Sequence, residues 1–254
     1  SENSTIINNI GLVLHIQGDL PAAKQAYERA IQIDETSANT NLPEVATHIS
    51  NLASVLKDMG DFLEAHKFFE HVFNIRTEVL GIMHVDTATT LNDLGGLSLI
   101  EGNLLRAQAY FEQALLVYRS TTEPKSVLIG ITLNNLGSVL MELGNLQEAQ
   151  NVFDQSLEIL VYQLGENHPD IGKLLNNIGA VLQGLGDLPA AHDMYKRALE
   201  ITKSNFGLDH PSVAVRMSNI AGVRQELGDL KGAVEMFENA LEIFKKFLPA
   251  DHPN

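Results

Sequence analysis

The side chains with the clearest chemical pattern in this 254-residue chain are asparagines. Asn9, Asn51, Asn135, Asn177 and Asn219 recur at multiples of 42 residues, with Asp93 in the remaining place. A second amide stands just before several of them, at Asn8, Asn92, Asn134 and Asn176. Asn is a mediocre helix former, so its repeated use within helices needs a reason. A carboxamide donates and accepts together, which suits two tasks. It can bond an adjacent repeat and set the stacking, or it can bind the backbone of an extended ligand. The sequence leaves both open.

Other chemistry is sparse. Lys57 and Lys173 are the cations that fall on the same helical faces. Leu99, Ile100 and Met141 form a candidate apolar patch, with Gly95-Gly96 leaving room for a ligand side chain. His66 and His71 are five apart, on different faces of a helix, and no His-Glu-x-x-His occurs. Cys is absent, which excludes disulfides, thiolate metal sites and a cysteine nucleophile. The glycines recur in register with the repeat and build no phosphate loop. No catalytic residue, metal site or cofactor is expected. The formal net charge is −15, which opposes sequence-independent binding to nucleic acid or anionic lipid. It favours a neutral, apolar or basic protein partner over an acidic one. No apolar run approaches the ~20 residues that a membrane-spanning helix needs.

These columns belong to a strict internal repeat. Gly18-Asp19, Gly60-Asp61, Gly102-Asn103, Gly144-Asn145, Gly186-Asp187 and Gly228-Asp229 hold the same register. So do Ala23, Ala65, Ala107, Ala149, Ala191 and Ala233. Each of these is followed four residues later by an aromatic: Tyr27, Phe69, Phe111, Phe153, Tyr195 or Phe237. Six units of 42 cover 252 positions, so the repeat accounts for nearly the whole chain. The expected units run over about 4–45, 46–87, 88–129, 130–171, 172–213 and 214–254 of one repeat domain.

Each unit reads as a pair of helices. In the fourth, Leu133, Leu136, Gly137 and Leu140 make one apolar helical face. Gly144 then supplies a left-handed C′ position, and Asn145 is expected to cap the next helix with Glu148 at N3. Ala149, Phe153, Ser156 and Leu157 form the stripe of the second helix. Small residues at Gly11, Ala53, Gly95, Gly137, Gly179 and Ala221 let the two helices approach, and the aromatic is expected to fill space against the neighbouring hairpin. The connectors hold His168-Pro169, His210-Pro211 and His252-Pro253, whose histidines are expected to pack or cap. The segments 34–41 and 120–126 depart from the pattern and are expected to be irregular joints. A lone hairpin cannot bury its apolar face, so the expected architecture is an all-α solenoid.

The run Gly-Asp-Leu-x-x-Ala-x-x-x-Tyr/Phe-x-x-Ala-Leu, as in 186–199 and 228–241, resembles the tetratricopeptide repeat. The 42-residue period and the Gly-x-x-His-Pro connector at 165–169 are similar to those of kinesin light chains, and to arrays attached to signal-transduction ATPases. The usual tryptophan is replaced by Ile7, Ile49, Leu91, Leu133, Leu175 and Met217. The resemblance implies a right-handed superhelix whose first helices line a concave groove that holds a peptide or partner helix. It implies a cytoplasmic, non-catalytic scaffold, monomeric or weakly self-associating. The alternatives are a sensor domain of a larger signalling ATPase or protease, and a spacer that self-associates through its terminal faces. The end at Asp251-His252-Pro253-Asn254, like the entry to a seventh unit, reads as a fragment of a longer protein.

Overall fold

The computed structural model describes residues 2–37 and 41–247. Twelve α-helices and no strand make up the described residues. The first of each pair are α1 (Glu2–Ile16), α3 (Leu42–Asp58), α5 (Val85–Ile100), α7 (Val127–Glu142), α9 (Pro169–Gly184) and α11 (Pro211–Glu226). The second are α2 (Leu20–Glu35), α4 (Phe62–Leu80), α6 (Leu104–Thr121), α8 (Leu146–Leu164), α10 (Leu188–Phe206) and α12 (Leu230–Lys245). They form an all-α solenoid of helix-turn-helix repeats, organised as two compact units, 1–123 and 124–254. The division falls in the 120–126 connector. Residues 38–40 of the other irregular connector, and the terminal His252-Pro253, lie outside the described residues. No helix among the described residues is long and apolar enough to cross a membrane.

Local chemistry explains each hairpin. Gly144 has a φ of +82°, a conformation that costs a residue with a Cβ roughly 1–2 kcal/mol. The residue after the turn glycine caps the next helix at five of the six turns. Asp19, Asp61, Asn103, Asp187 and Asp229 accept from the backbone N–H three residues on. Asn145 does not, contrary to expectation. A neutral amide oxygen is a weaker acceptor than a carboxylate. Asn103 already makes only a long contact of 3.4 Å, and at Asn145 the side-chain bond is lost. The Leu146 N–H bonds the Gly144 carbonyl at 2.9 Å, as the Leu230 N–H bonds the Gly228 carbonyl where Asp229 does cap. The connector histidines cap as expected. The Nδ1 atoms of His84, His168 and His210 accept from the N–H groups of Asp86, Asp170 and Ser212 at 3.1–3.2 Å.

The aromatic column packs on its own hairpin as well as on the next one. A Cβ on Gly11, Gly95, Gly137 or Gly179 would lie 2.6–2.8 Å from the ring of Tyr27, Phe111, Phe153 or Tyr195. Each ring therefore lies on the glycine of its own hairpin, and the glycine is what admits it. The ring also reaches onward. In the first unit Ala23 and Tyr27 of α2 share one buried cluster with Leu52, Val55 and Leu56 of α3. Full burial of one such side chain is worth about 1.5–3 kcal/mol, so this shared seam dominates hairpin stacking.

Candidate interaction surface

The Asn column lies where the first helices of adjacent hairpins run side by side. Asn51 donates from Nδ2 to Oδ1 of Asn8 at 2.9 Å. Asn219 does the same to Asn176 at 2.6 Å, and Asn177 to Asn134 at 3.4 Å. Each bond joins a residue to the one 43 positions later, one more than the repeat. The same offset joins His15 to Asp58 at 2.8 Å, and Gln183 to Glu226. A polar ladder thus links first helices while the second helices fill the apolar space behind them. One such bond uses one of the two N–H donors of an Asn amide and leaves its carbonyl free to accept.

Asn8 is buried, Asn51, Asn134, Asn135, Asn176, Asn177 and Asn219 are half-buried, and Asn9 at the first helix is exposed. Leu99 in the first unit and Met141 in the second are each half-buried on their own α5 and α7. Lys173 is exposed and bonded to Asp170 at 2.9 Å. Lys57 is half-buried and lies in the field of Asp93, the carboxylate that interrupts the amide column. Burial pushes the Asp93 carboxyl up to about 6, although Lys57 and Arg76 both pull it down.

Several polar groups were missed in the sequence because they occupy positions whose residue type varies between polar and apolar from repeat to repeat. Asp34 and His48 are almost fully buried, with Nδ1 2.7 Å from Oδ2. Arg76 is buried and donates to Thr90 Oγ1 at 2.8 Å and to the Asp86 carbonyl at 3.0 Å. Both side-chain pairs join a second helix to the next first helix, 14 residues on. Burial pushes the Asp34 carboxyl up, but hydrogen bonds from Ser4 and His48 outweigh it, and the net shift is downward. Ser4, Asp34 and His48 resemble a hydrolytic triad in composition only. The carboxylate, not the imidazole, takes the serine's hydrogen bond, and the group ties α1, α2 and α3 together. In the second unit, burial and then Glu226 push the Tyr195 hydroxyl up to about 12. That hydroxyl bonds Gln183 Oε1 at 3.1 Å. No group of three or more potential metal ligands occurs among the described residues.

Helical hairpins in this arrangement define a repeat-built scaffold. The tetratricopeptide repeat model matches residues 2–78, 44–120, 86–160, 128–204 and 170–246, and the chain belongs to that family. Among solved structures it is similar to BtubC (BKLC) from P. vanneervenii, at 21% identity and a TM-score of 0.77, covering 92% of this chain and 94% of that one. It is also similar to a putative kinesin light chain of Podospora anserina with nearly identical repeats, at 19% identity and a TM-score of 0.68, covering 84% and 100%. The Pseudomonas aeruginosa protein PilF matches at 17% identity and a TM-score of 0.64, covering 92% and 89%. These likenesses are of fold. No curated protein matches the sequence significantly. Tetratricopeptide repeat proteins generally mediate protein–protein interaction, typically as non-catalytic scaffolds.

Proposed function

We propose that this protein is a non-catalytic scaffold that binds an extended protein segment along the amide-lined first helices within a unit. The observation that carries this is the ladder itself. Asn51, Asn177 and Asn219 are fixed by the bonds they donate and are only half-buried, so each presents a preset carbonyl and a remaining N–H. Such preorganisation spares a receptor the ordering cost of binding. Asn9 extends this surface in the first unit and Asn134, Asn135 and Asn176 in the second, and Leu99 and Met141 each offer an apolar contact on their own unit. The preferred ligand is neutral, apolar or basic. Lys173 is already paired with Asp170, and Lys57 faces Asp93, so neither is free to bind an acidic peptide. A cytoplasmic setting is part of the same proposal.

The test uses a peptide selected from a random library against the immobilised chain. Asn135→Ala and Asn177→Ala are compared with the parent for affinity and for unfolding. Loss of one backbone bond, about 1 kcal/mol, lowers affinity about fivefold. Stability that falls with affinity unchanged would assign the amides to stacking alone.

A further inference from the structure

Asp93 and Gly96 lie one turn apart on the same face of α5, and the fold accounts for neither. Asp93 stands where five sister repeats place Asn. Asn51, Asn177 and Asn219 each donate to an Asn 43 positions earlier. The residue 43 before Asp93 is Ser50, and Asp93 makes no hydrogen bond or ion pair among the described residues. The groups that face it from the other helices of the unit do not neutralise it. Arg76 of α4 spends its guanidinium on Thr90 Oγ1 at 2.8 Å and the Asp86 carbonyl at 3.0 Å. Lys57 of α3 acts on it through its field, without an ion pair, and the Tyr118 hydroxyl of α6 donates to Thr89. Burial raises the carboxyl to about 6. The group has lost water without gaining a donor.

The two adjacent glycines differ in the same sense. A Cβ on Gly95 would lie 2.7 Å from the Phe111 ring, so packing demands that glycine. A Cβ on Gly96 would meet nothing within 4 Å. Glycine inside a helix is destabilising relative to alanine, and sister repeats hold Ser54, Ser138 and Ala180 at this place. Gly96 opens a notch about 4.5 Å along the axis from Asp93. Leu99, half-buried, and Ile100, 53% exposed, follow one turn further on. A carboxylate, a notch and then aliphatic surface match the head, stem and root of a long basic side chain, whose methylenes lie on apolar surface while the charge stays polar.

We propose that Asp93 takes the cationic head of one lysine or arginine of the bound segment, whose stem crosses Gly96, and that this contact sets the segment's register on the first unit. The inference rests on the scaffold reading above and names the residue by which that surface selects its partner. The net charge of −15 draws a basic segment in from a distance, and the contact with Asp93 fixes its position.

The probe is a peptide selected from a random library for binding the immobilised 254-residue chain, then counter-selected against binding Asp93→Asn. Each of its Lys and Arg residues is replaced in turn by norleucine, which keeps a linear stem without the charge. Affinities are read by titration calorimetry, and circular dichroism confirms that each variant is folded. One replacement is expected to weaken binding to the parent at least about tenfold, the worth of one charge-assisted hydrogen bond, and binding to Asp93→Asn less than about twofold. Glu78→Gln removes an equal charge from an exposed position on α4 and is expected to keep the tenfold difference. A difference that Glu78→Gln erases as fully as Asp93→Asn belongs to the overall charge and overturns the contact. Binders of which none survives the counter-selection, or survivors without a basic residue, overturn this proposal and leave the scaffold reading standing. A library that yields no binder to the parent overturns both.

Discussion

Asp93 breaks a column that is otherwise asparagine, and Asp93→Asn restores it. The carboxyl is moved from an ordinary value of 3.8 to about 6, chiefly by burial. A folded-state value above the unfolded one means that the folded chain holds the proton more tightly. The favourable contribution is complete below about pH 4 and is lost as pH rises through about 6. The 2.2-unit gap corresponds to about 3 kcal/mol, and the partial exposure of Asp93 reduces this to about 2 kcal/mol. Asparagine mimics the protonated acid and does not titrate. Urea unfolding followed by circular dichroism at pH 4.5, 6 and 7.5 is therefore expected to show Asp93→Asn gaining about 2 kcal/mol on the parent as pH rises. Lys57→Met removes the nearer-acting cation and is expected to move the parent's transition to higher pH. Parallel stability curves for Asp93→Asn and the parent across that range would refute the assignment.

Asp34 titrates with the opposite sign. Its carboxyl is held below the ordinary range, so its contribution is present at neutral pH and is lost as pH falls through the depressed value. Asp34→Asn is expected to destabilise the chain at pH 7 by about 1–3 kcal/mol, and the deficit should shrink in acid, read by the same urea titration. Gly144→Ala is expected to cost about 1–2 kcal/mol at any pH, because its φ of +82° is strained for a residue with a Cβ. Thermal unfolding of that variant checks the figure.

The repeat made the hairpins readable from spacing alone. Gly at C′ and Asp or Asn after it marked each turn, and Leu133, Leu136 and Leu140 marked the buried face of α7. What spacing hid were the partners. A helical face says that Asn51 points along the wall, but not that it reaches Asn8, because the neighbouring helix is offset by one residue beyond the repeat. The aromatic column was legible as core, yet only the contact distance shows that Tyr27 lies on Gly11 of its own hairpin. Asn145 makes no cap although Asn103, the same residue type in the same register, does, so residue type alone could not decide it. Arg76, Asp34 and His48 occupy positions that vary between polar and apolar from repeat to repeat. Their 14-residue spacing was present in the sequence, and it becomes meaningful only once the second helix is known to meet the next first helix at that offset.

The central claim is that the amides of the first-helix wall both bridge hairpins and receive a ligand. The most direct measurement is nuclear magnetic resonance of the Asn side-chain NH2 groups during titration with a library-selected peptide. The resonances of Asn177 and Asn219, or of Asn51 for a peptide held by the first unit, are expected to shift in a saturable way, in step with the affinity. Shifts confined to the second helices, with these side chains unmoved at saturation, would contradict the account.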